Sequence, residues 1–341
     1  MYPFTDQVFI IAELSANHNN DFDLAVDTIK AMAKAGANAV KVQTYTADSL
    51  AINIDNDIFG KRKDGLWKGR TLWDLYKEAS MPYEWHKPLQ KVAQELGLVF
   101  FSSPFDLDGV ALLEQLNVPL YKIASFEITD IPLIRAVAKT GKPIIISTGV
   151  AEEADIALAL ETCHQENNHQ VTLLKCTSNY PSTLADANLK TMVDMRDTFD
   201  TTVGVSDHTM GSVVPVTAAA MGARVVEKHF ILDRALGGPD SAFSMEPGEF
   251  ADMVKSVRQV ELALGNVTYE VSEKDKLRRR SLYASVAIEK GQPFTHDNVK
   301  SLRTGFGLAP QHLDALLSQN ASKAYNIGDP ILADEVSAIV D

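Results

Sequence analysis

The 341-residue chain has only two cysteines, Cys163 and Cys176, so no disulfide framework supports it and a reducing compartment is expected. Positive charge is also in short supply. Against 45 acidic side chains stand 32 basic ones, a formal net charge of −13. A field of that sign excludes a nucleic acid or an anionic membrane surface as partner, because both require clustered positive charge. It leaves room for a small anion, which a few buried lysines can hold. Long hydrophobic runs are missing: near the N-terminus only VFIIA stands out, with no basic segment before it, too short for a signal peptide or a membrane span. A soluble, cytoplasmic protein is therefore expected. After that first apolar run comes ELSANHNND rather than a GxGxxG turn, which disfavours a doubly wound dinucleotide-binding sheet.

What is present is a repeated theme. Apolar or β-branched runs stand at Val8–Leu14, Ala39–Tyr45, Leu98–Ser103, Leu120–Ser125, Pro143–Thr148, Val171–Cys176, Thr202–His208 and Arg224–Phe230. Between them lie helix-period stretches such as DLAVDTIKAMAKAGA, several closing on a glycine (Gly36, Gly97, Gly141, Gly222). Near-continuous apolar strands alternating with helices imply a parallel sheet covered on both faces. Eight such units match an α/β fold of the (β/α)8 TIM-barrel type, which takes about 250 residues and leaves about 90 over. Three segments are expected: a barrel domain at 1–265, a linker at 266–280 and a small module at 281–341. The basic run Lys274–Arg280 reads as a solvated linker.

In such a barrel chemistry belongs to the C-terminal ends of the strands. In chain order those ends carry Glu13, Asn17 and His18, then Lys41 and Gln43, then Ser102 and Ser103, then Lys122, Ser125 and Glu127. Ser147 and Thr148 follow, then Ser178 and Tyr180, then Ser206, Asp207 and His208, and finally Glu227, Lys228, His229 and Asp240. Apolar strands that all end in costly polar groups at one rim mark a site. The two lysines and four serines offer cations and hydroxyl donors to a phosphate or carboxylate, although a lysine taken singly also suits an interior ion pair with Glu13 or Glu127. His208 and His229 end consecutive strands and could ligate one divalent ion, with His18 either joining them or capping its loop. Asp207, Glu227 and Lys228 fall on alternating positions and are set aside as facing the other way. Cys176 has no evident activating base and reads as a small buried residue. Trp67, Trp73, Tyr76 and Trp85, in or beside the loop after the second strand, suit either a lid or packing.

The strings IAELSANHNND, AVKVQTYTADS, FFSSPFD, YKIASFEITD, IIISTGVA, LLKCTSNYPS, VGVSDHTMG and VEKHFILDRALGGPDSAFS together resemble the sialic acid synthases. KGQPF, SLRTGFG and NIGDPI resemble their C-terminal antifreeze-like (SAF) domain, and LSANHN, KIASFE and KCTS look most like the pseudaminic acid-forming branch. The resemblance implies condensation of phosphoenolpyruvate with an open-chain amino sugar, here 2,4-diacetamido-2,4,6-trideoxy-altropyranose, to a nine-carbon 2-keto acid and phosphate. It implies metal ligation by His208 and His229 (Mn2+, Mg2+ or Co2+). It places phosphoenolpyruvate on Lys41, Ser103, Lys122, Ser125, Ser147 and Ser206, and the sugar by Glu13, Gln43, Tyr180 and Asp240. Glu127 takes the acid/base role, with Glu13 beside it as the second catalytic carboxylate, and Arg303 reaches into the site of a partner subunit in a domain-swapped homodimer. Ser178 stands where the neuraminic acid synthases have Asn, which argues against N-acetylmannosamine as the sugar. A neuraminate or legionaminate synthase is the alternative within the family. Outside it stand a Schiff-base aldolase on Lys122 or Lys41, and a scaffold whose module binds a surface.

Overall fold

The computed structural model describes residues 7–63 and 68–336. The chain divides into two compact units, Met1–Gly265 and Asn266–Asp341. In the first, eight parallel strands close in sequence order: β1 (Phe9–Glu13), β2 (Ala39–Thr44), β3 (Val99–Pro104), β4 (Tyr121–Ile123), β5 (Ile144–Ser147), β6 (Val171–Cys176), β7 (Thr202–Asp207) and β8 (Val225–His229). The ring is completed by β8 beside β1, where Glu13 is in register with His229. The helices between them start where the sequence supplies an oxygen for orphan backbone donors. Asp21 accepts from Leu24 N–H at 3.0 Å, Asp106 from Gly109 N–H at 2.6 Å and Asp130 from Leu133 N–H at 3.1 Å. No helix among the described residues is long and apolar enough to cross a membrane.

Alternation along the strands divides their apolar residues into two cores. Ile10, Val40, Val42, Phe100, Tyr121, Ile144, Ile146, Leu173, Val205 and Val226 face outward and pack with the helices. Phe9, Ile11, Ala39, Phe101, Leu120, Ile145, Leu174 and Val225 fill the barrel interior. The inward row continues, toward the strand C-termini, into Glu13, Lys41, Ser103, Lys122, Ser147, Cys176, Ser206 and Glu227, all buried. An apolar plug thus floors a polar rim. Most strands fall within a residue or two of the expected bounds, but β4 is shorter than Leu120–Ser125. Its chain breaks after Ile123 into a single 3-10 turn, Ser125–Glu127, which lifts that serine and that carboxylate to the rim.

The second unit has its own core, including Leu282, Ile288, Phe294, Leu308, Leu316, Tyr325 and Ile331, around the antiparallel pair β9 (Arg280–Ala284) and β10 (Val299–Arg303). Ahead of it the basic run carries a four-residue helix, Glu273–Lys276, laced by surface pairs such as Lys276–Glu273 at 2.6 Å. Of the aromatics after β2, Trp67 lies outside the described residues. The other three are packing or tethered groups. Trp85 meets the His18 and Phe22 rings edge-on, at 5.7 and 5.5 Å, Tyr76 meets Tyr45, and Trp73 donates to Asp48 at 2.8 Å.

Gly204 on β7 leaves no room for a side chain. A Cβ there would stand 2.2 Å from the Val225 carbonyl oxygen and 2.9 Å from the Leu174 side chain. Gly204→Ala is expected to destabilise the fold by about 1–3 kcal/mol through overpacking. Urea unfolding should show a lowered midpoint with the slope unchanged, and a midpoint equal to that of the wild type would refute the close contact.

Candidate active site

At the centre of the rim Lys41, from β2, stands between two carboxylates. Its Nζ is 3.0 Å from Glu13 Oε2 and 3.4 Å from Glu227 Oε1, with all three side chains 5% exposed or less. Ser206 donates to Glu227 Oε1 at 2.9 Å, and Lys41 Nζ lies 3.5 Å from Ser103 Oγ. Glu227 therefore belongs to the site, contrary to the expectation that it faces away. Its position follows from the two-residue period: it lies two residues before His229, on the same inward row. Asp207 and Lys228 do face away, and pair with each other at 2.6 Å. Two buried carboxylates around one cation cannot both ionise freely. Burial and Glu227 push Glu13 above the usual carboxylate range against the pull of Lys41, while Lys41 and Lys122 hold Glu227 below it in spite of its burial.

Lys122, from β4, donates to Ser147 Oγ at 2.6 Å and to the Ile123 carbonyl at 3.0 Å, and burial lowers its pKa. Gly149, just past β5, makes the next part of the wall possible. A Cβ there would meet Ser178 Oγ at 2.2 Å, Ser125 Oγ at 2.9 Å and Cys176 Sγ at 3.3 Å, and its N–H donates to Ser125 Oγ at 3.1 Å. Glu127 is half-buried beyond Ser125, with Oε2 buried and without a hydrogen-bond partner. Burial raises its pKa to about 7 against the opposing charge of Lys122.

The other half of the rim is built by loops. Gln43 donates to Glu13 Oε1 and to Ser15 Oγ, each at 3.0 Å, and Ser15 bonds Asp240. Asp240 Oδ2 is 4.0 Å from His229 Nδ1, which is buried and has no hydrogen-bond partner. The His208 and His229 rings lie 5.2 Å apart, with Tyr180 against His208 at 4.5 Å and Phe243 against His229 at 4.9 Å. Thr177 O, 3.0 Å from His208 Nδ1, fixes that ring and leaves Nε2 as the nitrogen it would offer to a ligand. Among the described residues no three His, Cys, Asp or Glu side chains are gathered as a metal cage. Two imidazoles with a buried, unpartnered nitrogen and a neighbouring carboxylate fit a divalent ion that keeps positions open for substrate.

Several neighbours have other duties. His18 caps its loop, its Nδ1 accepting from Asn20 N–H at 3.1 Å, and its ring packs on Trp85. Asn17 braces the β8 loop through Phe230 O (2.9 Å) and Ser244 Oγ (2.8 Å), while Ser102 and Thr148 turn back onto the strands through Val42 O and Leu174 O. Cys176 does have an activating neighbour. Burial would raise its thiol, but His208, 3.9 Å away, together with Ser125 and the charge of Lys122, brings it down to about 7. Ser15, Gly149 and Phe243 are the residues that sequence reasoning missed, and only the folded loops reveal them. Arg303 is exposed on β10 of the second unit, opposite Arg280.

Residues 28–269 match the model of the NeuB family and 279–337 that of the SAF domain. The chain is 47% identical over 328 residues to the pseudaminic acid synthase of Campylobacter jejuni, covering 95% of each. It is 36% identical over 338 residues to the N,N'-diacetyllegionaminic acid synthase of Legionella pneumophila, covering 97% of this chain and 95% of that one. The solved N-acetylneuraminic acid synthetase of Leptospira borgpetersenii superposes with a TM-score of 0.70 at 32% identity, over 79% of this chain and 89% of that one.

The raised pKa of Glu127 carries a stability signature. A carboxyl held at about 7 when folded and 4.5 when unfolded favours folding below pH 4.5, and that advantage is lost as the pH rises through 7. Glu127→Gln should therefore be the more stable protein above pH 7, by up to about 3 kcal/mol. Thermal or urea unfolding of both proteins between pH 5 and 8 tests this, and parallel curves would remove the buried, proton-holding carboxyl.

Proposed function

The chain belongs to the NeuB family, with an SAF domain following the barrel in sequence, and from that premise we propose that it condenses phosphoenolpyruvate with 2,4-diacetamido-2,4,6-trideoxy-β-L-altropyranose and water to give pseudaminic acid and phosphate. It is a phosphoenolpyruvate-dependent transferase that forms a carbon–carbon bond. The observation that carries the choice of sugar is the similarity to the Campylobacter pseudaminic acid synthase, 47% against 36% for the Legionella legionaminic acid enzyme, at equal coverage of the relatives.

The rim suits this chemistry. Phosphoenolpyruvate brings a phosphate and a carboxylate, and Lys41 and Lys122 with Ser103, Ser125, Ser147 and Ser206 supply two cations and four hydroxyl donors from five strands and their loops. C3 of phosphoenolpyruvate attacks the open-chain aldehyde carbon, positive charge develops at C2, water adds there, and phosphate leaves with cleavage of its C–O bond. Negative charge grows on the departing phosphate, so the lysines act on the barrier as well as on binding. Burial has already stripped them of water, which strengthens that interaction. Glu13, Gln43, Ser178, Tyr180 and Asp240 line the half of the rim left for the amino sugar. Glu127, held near neutrality, is matched to moving a proton at the aldehyde oxygen or at the attacking water. A divalent ion (Mn2+, Mg2+ or Co2+) on His208 and His229 would supply Lewis-acid polarisation of the aldehyde oxygen.

The same reading carries a cytoplasmic location, where phosphoenolpyruvate is made, and a homodimer in which Arg303 of one copy serves the other's barrel. Assaying phosphate release with the altropyranose substrate, N-acetylmannosamine and the legionaminic acid precursor should give turnover with the first alone. Preference for either of the others would assign the enzyme to a sister activity. Borohydride should trap no adduct on Lys41 or Lys122. Glu127→Gln should lower kcat at least about 100-fold. Chelation should abolish activity and Mn2+ should restore it. Full activity in excess chelator would remove His208 and His229 from metal binding.

A further inference from the structure

The outer face of the barrel holds a second buried ion pair, behind the two histidines. Asp207 and Lys228 form the last register pair between β7 and β8. Each immediately precedes a histidine, so alternation turns the charged pair toward the helices and the imidazoles toward the rim. Lys228 Nζ donates to Asp207 Oδ2 at 2.6 Å and also to the Thr209 carbonyl. Asp207 in turn accepts from Thr209 N–H at 2.9 Å and from Thr209 Oγ1 at 3.0 Å. The Lys228 side chain is fully buried and that of Asp207 is 3% exposed. One carboxylate and one ammonium thus bind the end of β8, the end of β7 and the turn just past His208. Ser182 N–H, donating to His208 O at 3.2 Å, ties the same turn to the loop that carries Tyr180.

Such a pair is a poor device for stability, because removing two charges from water offsets most of their attraction. Its partners are directional, however, and every one of them flanks His208 or His229. Beyond this pair the two strands share no further backbone register. We infer that Asp207 and Lys228, acting with Thr209 from the helix-facing side, are positioning residues that set the separation and aim of the His208 and His229 imidazoles. The inference rests on the reading of those histidines as ligands of one divalent ion. It adds the groups that hold them in ligating geometry.

The test uses the full chain with Mn2+ alone as probe, following free Mn2+ by electron paramagnetic resonance, with thermal unfolding and the KM for phosphoenolpyruvate measured alongside. The variants are the apolar double replacement Asp207→Leu/Lys228→Met, Thr209→Val and, as control, His208→Ala. The double variant is expected to remain folded, with a Tm close to that of the wild type. Its Mn2+ Kd should be weakened about 10–100-fold, and its KM for phosphoenolpyruvate should be little changed, because Lys41 and Lys122 are untouched. A folded double variant with wild-type Mn2+ affinity overturns the inference. If the double variant does not fold, Thr209→Val decides: a several-fold weaker Kd supports the positioning role and an unchanged one overturns it. A wild-type protein that takes up no Mn2+, or a His208→Ala protein that binds like wild type, instead overturns the metal reading beneath it.

Discussion

The barrel is organised around a buried lysine shared by two buried carboxylates. Lys41 cannot sit uncompensated in an apolar interior, and Glu13 and Glu227 supply the charge it needs. The arrangement dictates what surrounds it. The floor must be apolar to make the rim charges strong, hence the Phe9, Ile11, Phe101 and Leu174 layer below. The walls must be small and polar, hence the serines. The second lysine must find its partners elsewhere, and Lys122 takes a hydroxyl and a carbonyl rather than a carboxylate. A phosphate arriving at this rim would meet one cation already neutralised and one not.

The net charge of −13 has little say in this. Solvent-exposed charges are screened beyond about 10 Å at ordinary salt, whereas the rim charges act across a few ångströms of protein. A chain that repels polyanions at long range can still hold a small anion beside a buried lysine such as Lys122, whose hydrogen bonds go to a hydroxyl and a carbonyl.

Most of the fold could be read from the sequence because a parallel barrel writes itself as repeated apolar runs with glycine stops and aspartate starts. The strand ends named most of the rim for the same reason. Errors arose where side-chain direction mattered. A strand-end reading groups Asp207, Glu227 and Lys228 together, yet the two-residue period separates them: a residue next to a rim histidine faces out, and one two positions away faces in. Counting from His229 identifies Glu227 without a structure. Other features had no signal in the sequence. The contact of Cys176 with His208, the dependence of the Ser125–Ser178 wall on Gly149 and the bond from Ser15 to Asp240 each join positions far apart in the chain through irregular loops. Loops follow no period, so pattern reading cannot place them.

The contrast between the two buried ion pairs separates structure from chemistry. On the outer face the pair is partnered: Lys228 and Asp207 bond each other and Thr209, and neither has a buried polar atom without a hydrogen bond. On the inner face, satisfaction is incomplete. Glu227 Oε2, Glu127 Oε2 and His229 Nδ1 are all buried without hydrogen-bond partners. Each such atom costs the fold about 1–3 kcal/mol. A sequence under no demand but stability would have filled these positions with apolar side chains of similar size, as it did one layer below. All three face the rim, next to the groups that would touch phosphoenolpyruvate, the sugar or the metal. Binding energy that those ligands return by completing the missing contacts is available to the reaction.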